Sequence, residues 1–254
     1  MPSALHLIPR DQRLTLARRR RAVITHTGGG MPLDFPATGQ ALWTLFDKGG
    51  PRPEYVLPVL YSESGFSTSV TNSIGCIGLN QLCPFAWPIP AGYASWSASQ
   101  QIAGPITSMF LANNAKFGAL NSGTRCYQSN FLPATLPCKS LDAVLATQAG
   151  GGECWTVSAG TSRSIYAANP GLDYQKTGAI RVSDLAHFIA KAAAAPLVQQ
   201  AIAQTYAVRP NEKPLDPVYG TDFNTVTPSG WLGSALLALL GFGIGAGGAY
   251  LADR

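Results

Sequence analysis

The sequence predicts a mainly α-helical globular domain held between a basic N-terminal arm and a C-terminal membrane-spanning helix. Three observations carry this. Apolar residues recur at helical spacing through the middle of the chain, few segments alternate with period two, and one uncharged apolar run near the C-terminus is long enough to cross a bilayer. The 254 residues are 46% hydrophobic and only 12% charged, enough apolar material for one sizeable core and too much for wholesale disorder. The 27 glycines and 19 prolines make the chain loop-rich, yet no Gly-X-Y period, heptad or other internal repeat is present, so collagen-like and coiled-coil architectures are excluded.

Residues 1–34 are the arm. Within the first 30 residues, Arg10, Arg13, Arg18, Arg19, Arg20 and Arg21 stand against the single acid Asp11, so the whole formal charge of +5 resides there and the rest of the chain is neutral. Two readings of this tail are open: a solvated, partly disordered terminus, or a segment that lies on nucleic acid or anionic lipid through diffuse, non-specific electrostatics. The arginines follow polar residues and no apolar stretch precedes a small-residue cleavage site, so Sec-type export is not expected.

Residues 35–206 are the globular domain. Thr38 to Lys48 puts Leu42, Leu45 and Phe46 on one face and stops at Gly49-Gly50. Glu54 to Ser64 is a second apolar-rich helix, with Pro58 near its first turn or kinking it. Ser97 or Ser99 caps a helix reaching to Phe117, with Ile102, Ile106, Met109 and Phe110 on one face and interruptions at Pro105 and Asn113. Ser140-Leu141-Asp142 opens a short helix, and Ser183-Asp184-Leu185-Ala186 opens a long alanine-rich one that Pro196 divides.

Residues 207–229 hold four prolines and read as an extended linker. Residues 230–252 read as a single transmembrane helix: the uncharged run from Trp231 to Tyr250 spans roughly 30 Å as a helix, with an aromatic ring at each end where the headgroups lie. The run Gly243-Ile-Gly-Ala-Gly-Gly248 matches the dinucleotide fingerprint in form only, since no strand precedes it and no acid follows. Gly241, Gly245 and Ala249 instead make a small-residue ridge suited to close packing against another membrane helix.

The stretch richest in chemistry is Glu63-Ser-Gly-Phe-Ser-Thr-Ser-Val-Thr-Asn-Ser-Ile-Gly-Cys-Ile-Gly-Leu-Asn-Gln81. Glycosidic cleavage needs an acid that protonates the leaving oxygen, and an apolar setting is what makes a glutamate useful for this near neutral pH. Of the 13 acids, Glu63 alone ends an apolar helix and precedes a Gly- and Ser-rich loop. The bland alternative is a glutamate that caps the following loop by accepting backbone N–H bonds.

The stretch resembles the lytic transglycosylase family. Glu63, Ser64 and Phe66 match its E-S-x-F motif, and Gly75, Gly78, Leu79 and Gln81 match G-A-x-G-L-x-Q at unchanged spacing, with departures at Asn72, Cys76 and Asn80. The order Gln100-Gln-Ile, Ser140-Leu-Asp-Ala-Val-Leu and Tyr166-Ala-Ala-Asn-Pro-Gly-Leu-Asp173 resembles the branch carried on bacteriophage virions. The resemblance covers residues 54–195 and implies a lysozyme-like helical domain of the goose-type and soluble lytic transglycosylase (SLT) kind.

The implied activity is cleavage of the β-1,4 bond between N-acetylmuramic acid and N-acetylglucosamine in peptidoglycan, with closure of a 1,6-anhydro ring, in the periplasm during phage genome delivery. Glu63 would act as acid and then as base. Ser64 would orient it, Asn72 would be a polar neighbour, Gln81 and the backbone of Gly75 and Gly78 would contact the sugar, and Tyr166 would lie over the glutamate or serve as a core tyrosine. No cofactor is implied.

No metal is expected either. Asp173 to Asp184 has EF-hand spacing, but Gln175 and Thr177 replace two carboxylate ligands, so a structural turn is expected. Cys76, Cys83, Cys126, Cys138 and Cys154 are either at most two disulfides with one thiol left over, in an oxidising compartment, or reduced and buried. Only His187 lies in the domain to serve a Cys/His peptidase. Two functions stand: a virion-associated, membrane-anchored enzyme acting on peptidoglycan beside other virion proteins, or a membrane-anchored virion structural protein with an inactive or glycan-binding lysozyme-like domain.

Overall fold

The computed structural model describes residues 33–84 and 86–220. Nearly all of the basic arm and the expected membrane helix at 230–252 lie outside the described residues, and among the described residues no helix is long and apolar enough to cross a membrane. The architecture is mainly α. In chain order come α1 (Phe35–Asp47), α2 (Pro53–Ser64), α3 (Ala98–Gln101), a π-helical turn (Ile102–Ile106) leading into α4 (Thr107–Phe117), α5 (Gly123–Phe131), β1 (Val144–Thr147), α6 (Ala159–Ala168), β2 (Ala179–Arg181), α7 (Val182–Ala193) and α8 (Pro196–Ala207).

The molecule is built around α2. Every residue from Pro53 to Leu60 is buried, and the helix packs against α1, α5, α7 and α8. A helix apolar on all sides can only be an interior one, and Tyr55-Val-Leu-Pro-Val-Leu60 supplies that surface. Pro53 sits where its fixed φ suits a helix start, while Pro58 lies inside and denies the Glu54 carbonyl its N–H partner without ending the helix. On one side, α1 packs on α8: the buried Trp43 donates Nε1–H to the Thr205 carbonyl at 3.0 Å and meets Tyr206 edge-on at 5.1 Å.

The expected cap at Ser97 forms a reciprocal box with Gln100, whose Oε1 accepts the Ser97 N–H at 2.8 Å. The expected interruption at Pro105 is the π turn, in which Gly104 leaves helical geometry (φ −96°, ψ −111°). Helices α7 and α8 flank Pro196 as their sequence dictates.

The structure departs from the sequence reading, or goes beyond it, at three places. Ser140–Asp142 opens a turn, not a helix: the Ser140 hydroxyl accepts the Asp142 N–H at 3.3 Å, a local bond that competes with helix formation, and β1 follows. That strand pairs antiparallel with β2, Val144 opposite Arg181 and Thr147 opposite Ala179, and buries Leu145 and Ala146. Second, α5 and α6 have no apolar periodicity to announce them. Helix α5 buries Arg125, Gln128 and Ser129, polar groups satisfied in place: Arg125 donates to the Leu136 carbonyl at 2.6 Å and to that of Cys138 at 3.1 Å.

Third, the start of the linker is docked on the domain. The Val218 carbonyl accepts the Thr124 N–H and hydroxyl at 3.1 and 2.8 Å, and the Leu215 N–H reaches Glu54 at 3.0 Å. The folded unit therefore runs past residue 206. Its cysteines follow the bridged reading, with Cys76–Cys83 and Cys138–Cys154 joined and Cys126 buried.

Candidate active site

Glu63 occupies the last turn of the central helix and is half-buried. Gly65 ends the helix in the left-handed conformation (φ 61°), its N–H donating to the Tyr61 carbonyl at 2.8 Å. Phe66 is left-handed too (φ 68°), a conformation that disfavours a side chain. Its ring is fully buried, 5.4 Å from Tyr61, and that burial offsets the strain. Two successive left-handed residues throw the chain abruptly off α2 just after Glu63.

The loop that follows folds back on itself. Thr71 bridges Ile77 and Ile77 bridges Leu82, both antiparallel, and the Cys76–Cys83 disulfide closes the far end. Asn72 shapes the turn, its Oδ1 accepting the N–H of Ile74 and of Cys76, each at 3.0 Å. Gly78 is required twice over: its φ is +82°, and a Cβ there would lie 2.5 Å from Gln101 Oε1 and 2.7 Å from the Tyr93 ring. Gln81 is also left-handed (φ 51°) and donates its amide to the carbonyls of Val70 and Gly78, both at 3.0 Å.

Ser64, Asn72, Gly75, Gly78 and Gln81 thus belong with Glu63 to one helix end and one folded loop, but several of them serve that loop. Ser64 is buried and donates its hydroxyl to the Leu60 carbonyl at 3.0 Å, back into its own helix. The amide nitrogen of Gln81 is engaged with backbone. Gly75 is open, with nothing near the position of a Cβ.

Tyr166 stands on a different element, α6, which packs on β1, and its hydroxyl donates to Asp173 Oδ2 at 2.8 Å. Asp173 also accepts the N–H of Thr177 at 2.9 Å and of Gly178 at 2.8 Å. Burial pushes the Asp173 carboxyl up, but the bonds from Thr177, Tyr166 and Gly178 outweigh it and hold it below its ordinary range; Tyr166, bonded to that carboxylate, is pushed up. Asp184 accepts the N–H of Arg181 at 2.7 Å and of Tyr174 at 3.2 Å. Both acids of the EF-hand-like segment are thus acceptors within its own turn.

Sequence reasoning missed what braces the loop. Gln101, fully buried on α3, accepts the Leu79 N–H at 3.0 Å and donates to the carbonyls of Thr68 at 2.8 Å and Tyr93 at 3.0 Å. Behind the loop, Asn80 donates to Asn130 Oδ1 on α5 at 3.2 Å. The available signal was its place in the Gln100-Gln-Ile stretch just after the Ser97 cap, which marks the position and not the bracing role. A surface depression of about 470 Å³ lies elsewhere, lined by Lys139, Ser140, Asp142, Glu153 and Arg181, with no residue of the Glu63 loop among its walls. No family model, curated protein or solved structure matches the chain.

Proposed function

We propose that the protein is a peptidoglycan lytic transglycosylase, with Glu63 as the acid and then the base. One observation carries the reading: a half-buried glutamate in the last turn of an interior helix, followed at once by a left-handed Gly-Phe pair and a disulfide-closed loop. The first step needs the neutral acid, which donates its proton to the glycosidic oxygen. The carboxylate left behind takes a proton from the substrate's C6 hydroxyl, whose oxygen closes the anhydro ring at C1, so no water enters. The arginine-rich arm and the apolar C-terminal run fit delivery on a virion to a membrane, with action on the wall in the periplasm.

The test uses the full chain in detergent on purified peptidoglycan. Glu63→Gln keeps the side-chain shape and removes the transferable proton, so cleavage falls by about 10²–10⁴ for each proton-transfer role while the fold survives. Mass spectrometry of the products should show 1,6-anhydro ends about 18 mass units lighter than hydrolysed ends, since no water is added. Reducing ends, or an unchanged rate in the variant, overturn the proposal.

The second reading, a membrane-anchored virion structural protein with an inactive or glycan-binding domain, draws on a specific observation. Ser64, Asn72 and Gln81 direct polar groups into the helix and loop, as a scaffold would. Intact sacculus binding with no product of either kind is its signature.

A further inference from the structure

The segment Asp173–Asp184 has EF-hand spacing, yet its two acids are turned to a different purpose: they hold rigid a turn that presents one aromatic ring. Tyr174 is 60% exposed, more than any other large hydrophobic side chain among the described residues. Its ring is not loose. It stacks on His187 of α7 with centroids 3.5 Å apart and planes 24° from parallel. Its backbone N–H is bonded to Asp184 at 3.2 Å, and the residue before it, Asp173, accepts from Tyr166, Thr177 and Gly178. One face of the ring is therefore backed by an imidazole and the turn beneath it is fixed, while Gln175, Lys176 and Thr177 stand exposed beside it.

We infer that Tyr174, backed by His187, is a carbohydrate-binding platform that takes a pyranose ring of a glycan strand, separate in sequence from the Glu63 loop. An aromatic face matches the apolar C–H face of a sugar ring, and the amide, ammonium and hydroxyl beside it match the polar groups at a sugar's rim. A ring with few torsions, held before the ligand arrives, loses little entropy on binding. The local charge argues against phosphate-rich partners: from 173 to 187, Asp173 and Asp184 cancel Lys176 and Arg181, leaving no cationic field to release counterions. A membrane surface is disfavoured too, because the turn residues around Tyr174 are polar. The choice of peptidoglycan as the source of the sugar rests on the function proposed above; the platform itself does not depend on Glu63.

The experiment measures co-sedimentation of the full chain, in detergent, with insoluble peptidoglycan sacculi. All proteins carry Glu63→Gln so that the matrix stays intact. Tyr174→Ala should bind about tenfold more weakly or worse, in line with the loss of one stacked ring. Tyr174→Trp should bind as the parent does, and soluble N-acetylglucosamine oligomers should compete. Equal binding by the Ala variant overturns the inference, as does equal loss in the Ala and Trp variants, or competition by polyanions alone. Unchanged thermal unfolding of each variant shows that the turn survives. The two proposals fail separately: absence of anhydro products from the chain with Glu63 intact sinks the enzyme and leaves the platform standing if Tyr174→Ala loses binding, whereas unchanged binding sinks the platform whatever the products are.

Discussion

Gln101 and Asp173 each brace a loop through one side chain, and they differ in how water and pH reach them. Gln101 has no exposed surface, so every bond it makes to Leu79, Thr68 and Tyr93 replaces one that water cannot supply. Gln101→Ala should cost about 2–4 kcal/mol in urea unfolding, because a buried N–H and two carbonyls lose their partner. Glu would restore only the acceptor and set a charge against those carbonyls, so it should not rescue; rescue by Glu would show that the donors are dispensable. Asp173 responds to pH. Its carboxyl titrates below its ordinary value of 3.8, so its contribution to stability is complete above that value and is lost as pH falls through the lower folded value. Asp173→Asn should flatten that part of the acid limb in a pH series of melts, and an unaltered limb would assign it to other carboxylates. Residues of this kind are poorly legible in a sequence. Glu63 stands out through the apolar run before it, whereas a bracing amide such as Gln101 looks like any other polar residue until the chain is folded around it.

Elements were legible where burial is apolar and illegible where it is polar. Helix α2 announces itself through Tyr55-Val-Leu-Pro-Val-Leu60, and α7 through its alanines and Leu185 and Ile189. Helix α5 does not, because beside Cys126 and Tyr127 it buries Thr124, Arg125, Gln128 and Ser129, which a pattern of hydrophobic spacing reads as solvent-facing. Its cap at Ser122, whose hydroxyl accepts the Arg125 N–H at 3.1 Å, was the one local sign. The Glu63 loop anchors Phe66, Leu79 and Leu82 in the core, and between those anchors its shape rests on Gln101, Asn72 and the Cys76–Cys83 bridge. Replacing both cysteines with serine should remove about 2.5 kcal/mol of chain-entropy stabilisation for so short a loop. Local hydrogen exchange of Ile77 and Leu82 should rise more than that of α2. Equal acceleration throughout the domain would show instead that loop and core open as one unit.

At the scale of the molecule, the fold is closed by a polar clasp that joins the start of α2 to the last described residues. Glu54 is fully buried, bonded to Arg52 at 2.7 Å, to the Tyr206 hydroxyl at 2.6 Å and to the Leu215 N–H at 3.0 Å. Arg52 also reaches the Lys213 carbonyl at 2.9 Å and lies over the Phe46 ring at 5.3 Å. Burial pulls the Arg52 guanidinium down, but its bonds to Glu54 and Tyr206 more than reverse this, and burial together with Glu54 pushes the Tyr206 phenol up. Both therefore keep their protons throughout the neutral range. The prolines after α8 predict an extended linker, yet these residues hold the clasp shut. A chain ending at Val208 should thus be less stable than one ending at Gly220, by about 3 kcal/mol or roughly 10 °C in Tm, since Leu215 and Val218 leave the buried Glu54 and Thr124 behind and Lys213 leaves the partly buried Arg52. The gap should be the same at pH 6 and pH 9. Glu54→Gln supplies the closing control. It should cost more in the longer chain than in the shorter one, where Leu215 is already gone, and the difference measures the coupling between helix start and tail. Equal melting of the two chains, or equal cost of Glu54→Gln in both, would mean that residues 209–220 merely lie on the surface of a domain already complete without them.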